Sequence, residues 1–198
     1  MDDIYVYHGK FRGCHILKIL DQIKEFMVKN PGEFITCLLK LEKGNKMKPE
    51  QTSFLLDKVK QIFDGLLVTN KKNWFQFGDT TLGDIAGQKE RLLIFFDTKR
   101  YLSPVTYKGV DFSSENKVEI NKLGFFLDSE FRNIWHRTQH PEFLFKANIA
   151  ELEATAKDHT DKLINNQLTL TPMISPGCFD ALKFLICVET SRPDTVTR

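Results

Sequence analysis

The chain has 198 residues, a length that suits one sizeable domain and does not require two. Hydrophobic residues make up 41% and charged residues 27%, which is typical of a globular protein and excludes a disordered chain or a small disulfide scaffold. The formal net charge of +2 is too small to favour nucleic acid as a partner.

The segments that would indicate a membrane or an export route are also missing. No apolar run approaches the roughly 18 residues that a transmembrane helix needs. The acidic start, Met1-Asp2-Asp3, leads directly into a strand-like segment and does not resemble a signal peptide. The four cysteines lack Cys-x-x-Cys spacing, which favours free thiols and a reducing compartment. The compartment stays open, and we expect a cytoplasmic or membrane-peripheral protein.

The first forty residues alternate between strand and helix patterns. Residues 4–7 are β-branched and aromatic and predict a strand, followed by a turn over residues 10–14. Apolar residues at helical spacing predict a helix over residues 16–27, which ends at Asn30-Pro31-Gly32 because proline cannot continue it. The apolar run 34–39 predicts a strand buried on both faces of a parallel sheet.

The middle of the chain continues the alternation. A second helix is predicted around residues 54–63, and a loop over residues 65–79, whose aromatic side chains are expected to fold back onto the core. Residues 91–96 form the clearest buried strand pattern. Residues 97–118 are loop-rich, and residues 123–127 form another short apolar run.

The last third predicts a helix over residues 141–162 with proline at its start, a strand over residues 168–171 and a final helix from Ser175-Pro176. Strands that alternate with amphipathic helices indicate an α/β fold with parallel strands. Five or six strand patterns are too few for a closed eight-stranded barrel of about 250 residues. The pattern therefore leaves two alternatives, an open sheet or an incomplete barrel. We expect one partial domain over residues 1–188 and a polar tail over residues 189–198.

Two residues that follow predicted strands could perform chemistry. His8 ends the first strand and Lys40 ends the strand over 34–39, and the carboxyl ends of parallel strands are where α/β proteins place their sites. If the two strands are parallel, both side chains face one mouth, which suits an anionic substrate. The alternative is a structural histidine and a lysine that only extends into solvent.

Other motifs are weak or missing. His136 and His140 are four residues apart, but Pro141 follows and no third ligand is evident, so no metal site is predicted. The sequence has no Gly-x-Ser-x-Gly elbow, no phosphate-binding glycine loop and no dinucleotide fingerprint.

A longer pattern carries more information. The series Val6-Tyr7-His8-Gly9, an amphipathic helix, residues 25–33 with Asn30-Pro31-Gly32-Glu33, and the apolar run to Lys40 resembles the phosphatidylinositol-specific phospholipase C X-domain family. Residues 81–87 with the strand that follows resemble a later turn of that family. The resemblance spans about residues 4–172 and implies a phospholipase C-like (β/α) barrel of the TIM type. We expect it to be incomplete here, without about two opening βα units and the closing strand.

The resemblance also implies a reaction, which is cleavage of a lipid phosphodiester by attack of the inositol 2-hydroxyl on phosphorus. It assigns to His8 the general acid that protonates the departing diacylglycerol oxygen, and to Lys40 the stabilisation of charge on the phosphate without calcium or another cofactor. The family's other catalytic histidine, the base, lies upstream of the matched segment and has no counterpart here. The implied partner is a phosphatidylinositol-type lipid or an inositol phosphate, with peripheral membrane contact.

Two alternatives to the enzyme stay open. One is a non-catalytic remnant that binds inositol phosphate or anionic headgroups through Lys40 and the loop cations Lys99 and Arg100. The other is a truncated gene product with no function of its own.

Overall fold

The computed structural model describes residues 4–8, 11–40, 47–72, 74–77, 79–98, 105–135, 140–158 and 162–167. They belong to two compact units, the first formed by the described residues up to Phe75 together with Thr80–Asp128, the second by Gln76–Asp79 and the described residues from Ser129 to Gln167. The strands are β1 (Tyr5–His8), β2 (Phe11–His15), β3 (Ile35–Leu39), β4 (Leu92–Phe96), β5 (Thr106–Tyr107), β6 (Val110–Asp111), β7 (Phe126–Leu127), β8 (Phe131–Trp135) and β9 (Leu163–Gln167). The helices are α1 (Ile16–Lys29), α2 (Pro49–Ile62), α3 (Leu82–Ala86), α4 (Lys117–Lys122) and α5 (Pro141–Asp158).

The first unit begins with an antiparallel hairpin. β1 pairs with β2, with His8 opposite Phe11 and Tyr7 opposite Arg12. The turn predicted over residues 10–14 is therefore wrong, because Phe11–His15 is a strand. Arg12 and Gly13 lack the β-branched or aromatic signal of a strand, so pairing with β1 sets the conformation here.

Helix α1 confirms the helix predicted over residues 16–27. Its first turn is capped by His15, whose Nδ1 accepts a hydrogen bond from the Leu17 N–H at 3.3 Å. At the other end, the Asn30 side-chain amide donates to the Phe26 carbonyl at 2.8 Å, just before the proline that stops the helix. The helix buries Leu20, Ile23 and Met27 against the core.

A three-stranded parallel sheet in the order β3–β4–β7 forms the centre of the first unit. All five residues of β4 are buried, which confirms the strand predicted over residues 91–96. Leu92, Ile94 and Phe96 join the core that α1 and α2 line. On the alternate positions of the strand, the Phe95 ring lies 5.7 Å from that of Phe126. The central strand β4 is thus covered on both faces. In β3, Ile35 is buried but residues 36–39 are only half-buried, so the prediction of a strand buried on both faces is confirmed only in part, because β3 is an edge strand of this sheet.

In the predicted loop after α2, the side chain of Phe75 packs onto the core as expected. Phe75 is buried, and its ring lies edge-on to Phe126 with 5.6 Å between centroids. The loop-rich segment before α4 contains a short antiparallel hairpin formed by β5 and β6.

The second unit contains a β8–α5–β9 connection. β8 and β9 are parallel, with Phe131 opposite Leu163 and Trp135 opposite Gln167. The helix predicted from Pro141 is confirmed at its start and ends at Asp158, earlier than expected. Neither strand was predicted, because the apolar residues of FRNIW do not alternate with polar ones and LINNQ is mostly polar. The strand expected over residues 168–171 and the last helix expected from Ser175 lie outside the described residues.

Together these elements confirm the predicted mixed α/β class with parallel strands. Within the described ranges, no helix is both long enough and apolar enough to cross a membrane.

Candidate functional site at the carboxyl edge of the parallel sheet

Three charged residues follow the three strands of the parallel sheet. Lys40 comes directly after β3, Asp97 after β4 and Asp128 after β7. Each of the three strands ends on an apolar residue, so the change to a charged side chain falls at the same edge of the sheet.

Strand register places the three residues at one level. Leu39 is opposite Phe96, and Phe96 is opposite Leu127. Pairing continues one residue further, because the Asp97 N–H donates to the Leu39 carbonyl at 3.0 Å. Since neighbouring strands lie about 4.8 Å apart, the backbones of Lys40 and Asp97 are adjacent. Asp128 follows the strand on the other side of β4.

This edge combines solvent access with an apolar support. Lys40 is exposed, and Asp97 and Asp128 are half-buried. Phe96 and Leu127, the last residues of the two strands that carry the aspartates, are both buried. The edge thus offers an ammonium that can stabilise an anion and two carboxylates that can accept a proton or orient a cationic or hydroxyl group.

His8 lies in a different sheet of the same unit. The sequence analysis left open whether the strand that His8 ends is parallel to the strand that Lys40 follows. In the structure His8 ends β1, which pairs with β2 in a separate antiparallel sheet. Among the strands that the structure describes, pairing brings Lys40 next to Asp97 and does not bring His8 into that sheet.

The other candidate residues named from the sequence do not contribute to this edge of the sheet in the described structure. Lys99, Arg100 and His136 lie outside the described residues. His140 precedes α5, where its carbonyl accepts a hydrogen bond from the Leu144 N–H at 3.0 Å. Across the described part of the chain, no group of three His, Cys, Asp or Glu side chains is arranged to hold a metal ion.

The sequence analysis did not identify Asp97 and Asp128 as candidate site residues. The signal was present, since each directly follows an apolar run in the same way that Lys40 follows β3. A rule that marks every charged residue immediately after a predicted parallel strand finds all three.

The opposite, amino edge of the sheet carries a buried cation. Arg91 precedes β4 and is 6% exposed, and its guanidinium donates to the Met27 carbonyl at 2.7 Å and to the Lys89 carbonyl at 3.0 Å. Met27 lies in the last turn of α1, where carbonyls have no partner within the helix and the helix dipole favours a cation. Arg91 therefore has a structural role that is separate from the candidate site.

A scan against protein-family models and searches of curated proteins and of solved structures found no match to this chain. The resemblance to the phospholipase C X-domain family therefore stays a prediction.

Proposed function

We propose that this chain is a phosphoric diester hydrolase of the phosphatidylinositol-specific phospholipase C-like family, which acts on a phosphatidylinositol-type lipid. The observation that supports the proposal best is the exposed ammonium of Lys40 at the carboxyl edge of a buried parallel sheet. This is the edge at which α/β proteins bind substrates, and a cation there suits a phosphodiester.

In the proposed reaction, the inositol 2-hydroxyl oxygen forms a bond to phosphorus while the bond from phosphorus to the diacylglycerol oxygen breaks. His8 gives a proton to the departing oxygen, and Lys40 stabilises the charge on the phosphate oxygens. The hydroxyl proton needs an acceptor. Asp97, which the register places beside Lys40, is our candidate for this base, and Asp128 is the second.

The proposal includes a (β/α) barrel of the phospholipase C type. Its support is the parallel pairing of β3, β4 and β7 in one unit and of β8 and β9 in the other, with α2 between β3 and β4 and α5 between β8 and β9. The reaction as proposed uses no cofactor, and the lipid substrate requires peripheral contact with a membrane or micelle.

A second function, binding of inositol phosphate or an anionic headgroup without turnover, is favoured by one observation. His8 ends a hairpin strand outside the sheet that carries Lys40. A phosphate held at Lys40 without a proton donor near the leaving oxygen would be bound and not cleaved.

The test measures hydrolysis of phosphatidylinositol micelles by the purified chain, with and without a chelator. We expect chelator-resistant turnover that falls by about 10²-fold or more in His8→Ala, since a positioned proton donor contributes about that much. Lys40→Ala should also lose turnover, whereas Lys24→Ala, an exposed lysine of α1, should match the unchanged chain.

Lack of turnover from folded protein would overturn the hydrolase proposal. Inositol phosphate binding that is lost in Lys40→Ala but kept in Lys24→Ala would then establish the second function. Lack of both turnover and binding would contradict both functions.

A further inference from the structure

Strand β3 has one edge with which no described strand pairs. It is the outermost strand in the order β3–β4–β7. The Ile35 N–H donates to the Arg91 carbonyl at 3.1 Å, and the Asp97 N–H donates to the Leu39 carbonyl at 3.0 Å. The backbone groups of Ile35 and Leu39 therefore point towards β4, and by alternation along the strand those of Cys37 do the same.

The two residues between them face the open edge. Alternation directs the N–H and C=O groups of Thr36 and Leu38 away from β4. The strand sequence ITCLL contains neither a charged residue nor a proline, which are the features that commonly prevent an edge strand from pairing. The outer edge of β3 is therefore a template on which a further strand can pair.

The two ends of this edge carry opposite charges. Glu33 lies two residues before β3, and the exposed Lys40 follows its last residue. Neither side chain forms an ion pair with another described residue. A second copy of the strand in antiparallel orientation brings Lys40 of each copy to the same end as Glu33 of the other, whereas a parallel copy brings like charges together. The charges therefore favour antiparallel pairing of two copies.

We propose that two copies of this chain associate through the outer edges of β3, antiparallel and centred on Cys37. In this register, Thr36 of each copy lies opposite Leu38 of the other, and each of these two pairs exchanges both of its N–H···O hydrogen bonds. The same patch is used on both copies, as in closed twofold dimers. Because the strand is short, the dimer is weak and depends on protein concentration.

The pairing also affects the candidate functional site. Lys40 lies opposite Phe34 of the second copy and one position from its Glu33, so that carboxylate competes at Lys40 with an anionic ligand. The pairing itself does not depend on the proposed function, and its test measures association and not turnover.

The test measures association by sedimentation equilibrium up to millimolar concentration, for the unchanged chain and for two charge reversals. Glu33→Lys and Lys40→Glu each place like charges at both ends of the dimer, so each should weaken association at least about tenfold. An equimolar mixture of the two variants restores opposite charges at both ends and should associate about as tightly as the unchanged chain. Glu115→Lys is the matched control, since it makes the same change of charge at an exposed residue before α4 and should have no effect.

A backbone variant tests the edge itself. Thr36→Pro removes an outward N–H without removing a hydrogen bond to β4, so it should abolish association. If this variant does not fold, the charge reversals decide.

An unchanged chain that stays monomeric at all concentrations would overturn the proposal. Association that the charge reversals do not weaken, that their mixture does not restore, or that persists in folded Thr36→Pro would overturn it as well.

Discussion

The two compact units differ in what surrounds their parallel strands. In the first unit, all five residues of β4 are buried between β3 and β7, with apolar side chains packed on both faces of the sheet. In the second unit, β9 is mostly polar, and α5 exposes the large apolar side chains of Phe143 and Phe145. The described strands of the first unit thus lie in an apolar core, whereas the described helix of the second unit exposes apolar side chains to solvent.

The largest effect on stability should come from removing a buried phenyl ring in the first unit, compared with removing an exposed phenyl ring in the second. Phe126 is 1% exposed and contacts the rings of Phe75 and Phe95, whereas Phe143 of α5 is 61% exposed. We expect Phe126→Ala to lower the free energy of unfolding by about 3–5 kcal/mol, because it opens a cavity. Phe143→Ala should change it by about 0.5 kcal/mol or less. Urea unfolding of both variants measures this, and equal losses would contradict the contrast between the units.

The next effect concerns the buried cation of the first unit. Arg91→Met keeps much of the side-chain volume but leaves the Met27 carbonyl at the end of α1 without its donor. We expect a loss of about 1–3 kcal/mol in the free energy of unfolding, the usual cost of a buried acceptor without a partner. The exposed neighbour Lys89 provides the control, and Lys89→Met should be nearly neutral. An Arg91→Met variant as stable as the unchanged chain would show that the buried guanidinium does not stabilise α1.

A smaller effect should appear at alkaline pH. Tyr107 donates a hydrogen bond from its hydroxyl to Asp57 at 2.6 Å, and burial together with that carboxylate raises the pKa of Tyr107. The unfolded chain therefore loses this proton first, so the contribution is complete below the ordinary pKa of about 10 and is lost as pH rises through the higher folded value. Tyr107→Phe should cost about 1 kcal/mol at neutral pH. Thermal unfolding from pH 8 upward should show a shallower alkaline loss in Tyr107→Phe, and parallel curves would contradict the assignment.

The smallest effect should occur at the start of the short helix α3. The Thr81 hydroxyl and backbone N–H donate to the Asp84 carboxylate at 2.7 and 2.9 Å, which lowers the pKa of Asp84. Since the folded pKa lies below the unfolded one, this contribution is present above the ordinary value near 3.8 and is lost as pH falls through the folded value. Asp84→Asn should lower the melting temperature slightly at pH 7 and leave it unchanged near pH 2. An equal loss at both pH values would show that the charge is not involved.

The residues that were predicted well share a strong local signal. The helical spacing of apolar residues in α1 and the apolar runs of β3 and β4 are local patterns, so periodicity is sufficient to find these elements. The strands β2, β8 and β9 have no such pattern and take their conformation from pairing with another strand.

The residues of the candidate site divide in the same way, into one that a local pattern identifies and two that depend on strand pairing. Lys40 was found because it ends an unmistakable strand, but its neighbours Asp97 and Asp128 depend on the order β3–β4–β7 and on register. The pairing of β1, which His8 ends, with β2 was not predicted, because short apolar runs do not show which strand pairs with which. Local patterns in the sequence therefore identify the strands but not their order in the sheet.

We propose that the carboxyl edge of the parallel sheet acts on a phosphodiester. The most direct test is the rate of phosphatidylinositol hydrolysis in the presence of chelator for the unchanged chain, Lys40→Ala and Lys24→Ala. We expect turnover that is lost in Lys40→Ala and kept in Lys24→Ala. Turnover that is equal in all three proteins would contradict the assignment of the site to this edge.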